Sequence, residues 1–168
     1  MATQRSLYNG ALGHLGPVRL DNLSENRPDR RELDAKYDET KAFMLERGLW
    51  RFALRTQEWE AETDVEPQFG LQYAFLRPED YGGHLRFIAT DERQEYEDKS
   101  FREEGSYWFS DHNILYVTYV SNGPLWGGNL GVWPQLYADA FSAELAYRTD
   151  LPITKDKVSK ATVEQTAA

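Results

Sequence analysis

The order of periodicities along this chain predicts an α+β fold, in which helices from both termini form a bundle packed with a central antiparallel β-sheet or meander. Three observations carry that expectation. Apolar residues recur every three or four positions near the start and again over residues 135–148. Between residues 50 and 120 the period changes to two, and turns rich in Gly, Pro and Asn punctuate that middle stretch. With 168 residues, 40% of them hydrophobic, the chain can bury one substantial core, so residues 1–154 are expected to form a single domain and 155–168 a C-terminal tail.

Leu7, Tyr8, Ala11, Leu12 and Leu15 keep helical spacing, which places a short first helix at roughly residues 4 to 15. Gly16-Pro17 ends it, because a flexible residue is followed by one that cannot continue the helix. The second helix is expected to begin near Asn26, whose side chain suits a cap, with Pro28 in the first turn and Asp29 at the positive end of the dipole. Leu33, Tyr37, Thr40 and Met44 form its inward stripe, and Gly48 is its stop.

From Trp50 the alternation reads as a strand, with Trp50, Phe52 and Leu54 on one side. Continued alternation puts Glu58, Glu60, Glu62, Asp64 and Glu66 on one face, opposite Trp59, Ala61, Thr63 and Val65, as a ribbon of carboxylates. Leu71, Tyr73 and Phe75 suggest another strand, a turn at RPEDYGG follows, and Leu85, Phe87 and Ala89 alternate after it. Residues 100–120 then read as strands joined by turns near Glu104-Gly105 and Asp111–Asn113, an antiparallel meander.

Residues 121–134 are rich in Gly and Pro yet hold Trp126 and Trp133, so this loop is expected either to pack over the sheet or to reach a neighbour. The closing helix carries Leu136, Ala140, Ala143 and Tyr147 on one face, with Tyr137, Phe141 and Leu145 adjoining. Pro152 is expected to interrupt it and Thr154 to cap a fresh helix. KDKVSKATVEQTAA has no aromatic or Leu to anchor it, the pattern of a tail that stays mobile unless a partner holds it.

Charge and composition exclude several chemistries. The net charge of -9, from 28 acids against 19 bases with the arginines scattered among the acids, argues against adhesion to nucleic acid or anionic membrane. There is no cysteine, hence no disulfide, thiolate ligand or thiol nucleophile, and no segment has the roughly 18 apolar residues of a membrane span. His14, His84 and His112 lie far apart with no partner at metal-ligand spacing. No serine sits in a Gly-x-Ser-x-Gly elbow, and Ser110 beside Asp111-His112 is adjacency in sequence, which triads do not need. Gly10, Gly13 and Gly16 do not match a phosphate-cradling loop, and close helix packing with a terminator explains them. The acidic ribbon is the one constellation suited to chemistry, since paired carboxylates hydrolyse glycosides, with Trp59, Trp108 and Trp126 as stacking faces for sugar. Acids two apart on one strand point the same way instead of flanking a bond, so a solvated face is the ordinary reading. A carbohydrate-binding module or weak glycosidase is therefore the alternative, and no catalytic residue, cofactor or metal is expected.

The chain opens with Leu-x-Asn-x-Ala-Leu-x-x-Leu-Gly, carried by Leu7, Asn9, Ala11, Leu12, Leu15 and Gly16. Tyr37-Asp38 follows in the second helix, then Trp-x-Phe-Ala-x-Arg (Trp50, Phe52, Ala53, Arg55) and an aromatic segment with a Pro-x-Asp turn (Tyr73, Pro78, Asp80). The run Ile114 to Tyr119 and a closing helix with Phe141, Ala143, Leu145, Ala146, Ile153 and Thr154 complete the order. In this ordered set the chain resembles the head-to-tail adaptor (connector) family of tailed phages, the group that includes tail tubular protein A of short-tailed phages. The resemblance implies a structural virion protein at the head–tail junction, the neck, made in the host cytoplasm. It would assemble with itself into a ring, usually of twelve, beneath the portal protein, joining it to a downstream tail or neck protein. Double-stranded DNA passes through such a ring without specific binding, for genome ejection, and no membrane is involved. On that reading Glu58, Glu60, Glu62, Asp64 and Glu66 are candidate channel lining, Trp126 and Trp133 candidate subunit-interface anchors, and Lys155, Lys157, Val158 and Lys160 candidates for portal docking.

Overall fold

The computed structural model describes residues 1–16, 19–67 and 70–166, with side chains to residue 150. Pro17, half of the expected stop after the first helix, lies outside the described residues. The protein is α+β: among the described residues three helices, α1 (Gln4–Leu15), α2 (Pro28–Glu46) and α3 (Gln135–Thr166), accompany six strands in two antiparallel sheets. Where the sequence suggests one domain over residues 1–154, the chain groups into two compact units, Met1–Met44 with Asn129–Ala168, and Leu45–Gly128.

The first unit is helical. Thr3 caps α1 through a capping box with Ser6, so two of the helix's orphan amides are satisfied at its start. Leu7, Tyr8, Ala11 and Leu12 are buried as their spacing predicts, and α1 lies close on α3: a Cβ added at Gly10 would stand 2.7 Å from the Ser142 Oγ. Close helix packing therefore accounts for Gly10, and Gly16 closes the helix at φ +149°, a conformation suited to glycine. The predicted stripe of α2 also faces inward, with Leu33, Thr40 and Met44 buried and Tyr37 edge-on to both Tyr8 and Phe141, at 5.8 and 5.5 Å between centroids. Asn26 is not its cap. The helix starts at Pro28, two residues on, and the Asp29 carboxylate accepts from the Arg30 amide and from the Arg27 guanidinium.

Helix α3 corrects two expectations. It runs from Gln135 to Thr166 through Pro152, so proline does not divide it and Thr154 does not start a new helix. Proline removes one internal hydrogen bond at a cost of about 3 kcal/mol; the turns on either side keep the rise of the helix. Of its two adjoining apolar stripes, one is buried. Tyr137, Ala138, Phe141, Leu145 and Ala146 are buried, whereas Leu136 and Tyr147 are 83% and 80% exposed and Ala140 and Ala143 are exposed with them.

The second unit holds the strands: β1 (Leu54–Glu60), β2 (Tyr73–Leu76), β3 (Tyr81–Ala89), β4 (Arg102–Glu104), β5 (Tyr107–Ser110) and β6 (Ile114–Ser121). They are not a meander. One sheet has the order β1-β6-β3 and the other β2-β5-β4, so the turn at Glu104-Gly105 makes the expected hairpin while the bend at Asp111–Asn113 carries the chain from one sheet to the other. Phe75, Ile88, Trp108, Leu115, Val117 and Tyr119, drawn from both sheets, form the core. Trp50 does not begin a strand either, because residues Arg51–Ala53 close a 3₁₀ turn in which the Ala53 amide reaches the Trp50 carbonyl, and pairing starts at Leu54.

Candidate functional site

The five acids of the predicted ribbon do not share one strand. Glu58 and Glu60 stand in β1 opposite Tyr116 and Ile114, but the strand ends at Glu60, and Glu62 keeps only a bridge from its amide to the Ala74 carbonyl at 2.8 Å. Asp64 and Glu66 lie beyond regular pairing, and all five side chains are exposed. The bend gathers Glu60, Glu62 and Glu66 around a depression of about 580 Å³ that also holds Tyr73 and Asn113. These are carboxylates in water, arranged around a hollow instead of along a line.

A second depression of the same unit, about 480 Å³, is better furnished. Its wall comes from β1 (Arg55, Gln57, Trp59), from the turn between β2 and β3 (Arg77 to Asp80) and from Gly123, Pro124 and Trp126, with Glu62 at the margin. Asp80 organises it. Its carboxylate takes the Arg55 guanidinium at 2.8 Å, the Tyr119 hydroxyl at 2.9 Å and the Ser121 hydroxyl, while its carbonyl accepts the Asn122 amide. Burial pushes the Asp80 carboxyl up, but those hydrogen bonds from Ser121, Arg55 and Tyr119 outweigh it and hold the pKa below the ordinary aspartate value. The same burial and the Asp80 contact push the Tyr119 phenol well up, so it stays protonated and donates.

Arg55 carries this network to the aromatic wall, since its guanidinium lies 4.5 Å from the centre of the Trp126 ring. Trp59 is fixed by its Nε1, which donates to the Leu76 carbonyl at 2.8 Å, and Arg77 is engaged by Glu103 at 2.6 Å and by the Gly105 carbonyl. Within this cleft the groups left over are acceptors. Glu62 and Glu79 are exposed with no cationic partner among the described residues, and the Gln57 Oε1 is buried with no hydrogen-bond donor.

Of the two indoles proposed as interface anchors, Trp126 is half-buried on the cleft, whereas Trp133 is 5% exposed, edge-on to Tyr137 at 4.8 Å and close to Phe141 at 5.1 Å. Trp133 thus packs against neighbours within the helical unit. Trp108 is fully buried and offers no face to a sugar. Lys155, Lys157, Val158 and Lys160 belong to α3 by their backbone, and their side chains lie outside the described residues.

Ser110 is fully buried and its hydroxyl donates to Asp98 at 2.5 Å while accepting the His112 amide, so it braces a turn and is inaccessible as a nucleophile. Among the described residues no group of three His, Asp or Glu is disposed to hold a metal, and no helix is long and apolar enough to cross a membrane.

The sequence reading missed the Asp80 centre. Arg55, Asp80 and Tyr119 each belong to the family-like pattern, but no spacing rule links positions 55, 80 and 119; pairing of β1 and β3 with β6 does. No protein-family model matches the chain, and no curated protein matches it either.

Proposed function

We infer that this protein is a head-to-tail adaptor: a structural virion protein whose copies form a ring joining the portal to the tail and leaving a channel for the genome. The observation that carries the reading is where the family-like residues fall. Asn9 clamps the segment after α1 by bonding the Leu20 amide at 2.7 Å and its carbonyl at 3.0 Å. Tyr37 and Phe141 pack together in the helical unit, and Arg55, Asp80 and Tyr119 form one network in the sheet unit. These members of the ordered set each bond or pack inside one of the two units, which favours a shared architecture over chance likeness.

Two surface features fit a ring part. A cyclic ring needs two different faces on each copy, and the exposed stripe Leu136, Ala140, Ala143 and Tyr147 supplies an apolar one. The exposed acids Glu58 to Glu66 suit a channel: twelve copies at -9 each would carry about a hundred negative charges, a field that keeps phosphate from adhering. The test is electron microscopy of the protein incubated with portal particles. Rings on the portal are expected; a protein that stays monomeric and leaves portals bare would overturn the reading. The cleft does bring Trp59 and Trp126 together, which favours sugar binding as a second reading, and titration with a panel of oligosaccharides tests that directly.

A further inference from the structure

The cleft built around Asp80 has a chemical asymmetry that bears on what enters it. Its cations are already engaged, Arg55 by Asp80 and Trp126, Arg77 by Glu103 and Tyr81. Its carboxylates Glu62 and Glu79 are exposed and lack a counter-charge among the described residues. The same wall carries Trp59 and Trp126 with Leu76 (44% exposed), Pro78 and Pro124. A sugar requires donors as well as acceptors, because its ring and hydroxyl oxygens accept; a lysine requires acceptors for its ammonium and an apolar bed for its stem.

The chain itself contains a segment of that chemistry. Residues 155–160 carry three lysines against one aspartate, half of the six lysines in an otherwise acidic sequence. We propose that the Glu62–Glu79 cleft of one copy binds the lysine-bearing segment 155–160 of a second copy. In that cleft Trp59, Trp126 and Leu76 supply the apolar bed, and Glu62 and Glu79 supply the acceptors for ammonium. The contact is heterologous, one surface against a different one, as a closed ring demands. It deepens the ring reading and rests on it in one respect, that copies of this chain associate.

The test uses the full chain and a synthetic peptide of residues 154–162, titrated calorimetrically at low ionic strength. Binding is expected, weakened roughly fivefold by Glu62→Gln with Glu79→Gln, weakened similarly when the three peptide lysines are replaced by glutamine, and suppressed by salt. Both acids are exposed, so the variant is expected to keep its thermal midpoint, and that midpoint is measured alongside. No binding to the wild-type chain, or binding unchanged in the double variant, would overturn the proposal. So would a peptide that binds only a chain carrying Lys155→Gln, Lys157→Gln and Lys160→Gln, since the segment of the same copy would then fill the cleft. An oligosaccharide that binds in a Glu62- and Glu79-dependent way while the peptide does not would also overturn it. Ring formation on portal particles, scored with the same proteins, separates the two ideas. Rings without peptide binding sink the cleft contact alone, whereas peptide binding without rings sinks the adaptor reading and leaves the contact between copies standing.

Discussion

Asp80 keeps its charge where burial alone would oppose it, because three side chains donate to one carboxylate. Its folded pKa lies below its unfolded one, so the stability it contributes is fully present above the unfolded value, about 3.9. That stability is lost as pH falls from there through the folded pKa. Asp98 behaves likewise: burial raises its carboxyl, and hydrogen bonds from Ser110 and Ser100 outweigh that, with the His112 charge adding to them. Acid unfolding monitored by circular dichroism is therefore expected to begin below about pH 4, and Asp80→Asn should flatten the acid limb while lowering stability at neutral pH. Asp80→Ala leaves Arg55, Tyr119 and Ser121 without their shared acceptor and is expected to cost roughly 2–3 kcal/mol in urea unfolding. Trp108→Ala, which empties the centre of the sheet unit, should cost about 3–5 kcal/mol. Near-wild-type stability of both alanine variants would mean that the Asp80 network and the Trp108 core do not support the fold as described.

At the scale of elements, α1 packs tightly on α3 at Gly10, where an added methyl would meet the Ser142 Oγ and Cβ at 2.7 and 2.9 Å. Gly10→Ala would gain helix propensity in isolation, yet the clash is expected to dominate and cost about 1–3 kcal/mol. Gly10→Ala combined with Ser142→Gly removes the obstructing hydroxymethyl and should recover part of the loss; no recovery would place the clash elsewhere. The inward stripes of α1 and α2 were readable because each spans several turns, enough for a period of 3.6 to declare itself. The stretch from Trp50 to Leu54 was too short for that, and its two-residue alternation coincides with a 3₁₀ turn. Alternation likewise carried the acidic ribbon past Glu60, although hydrogen bonding and not side-chain order ends a strand. The buried face of α3 stayed open for another reason. Leu136, Ala140, Ala143 and Tyr147 are as apolar as the residues that are buried, so hydrophobicity alone could not say which of two adjoining stripes faces in. The Asp80 cleft was invisible for want of any local signal, since its parts come together only through the partners of β6.

For the molecule as a whole, the stripe of α3 left in water is informative. Two adjoining apolar stripes on α3 exceed what one core uses, and the unused one leaves Leu136 and Tyr147 almost wholly in water. Single exposed apolar residues are ordinary, but four at helical spacing make a continuous strip. In the ring reading this strip meets the next copy, and replacing it should separate assembly from folding. Leu136→Asn with Tyr147→Asn removes no buried contact, so urea unfolding is expected to stay within about 0.5 kcal/mol of wild type. Ring formation on portal particles should fail, because each copy loses the same contact and the defect repeats around the circle. Neutralising Glu58, Glu60, Asp64 and Glu66, with Glu62 left in place for the cleft, should do the opposite, preserving rings while slowing genome ejection as phosphate begins to adhere to the channel. Rings that form normally from the Leu136 and Tyr147 double variant would clear α3 of any part in assembly. Normal ejection from the neutralised variant would likewise remove the acids from the channel.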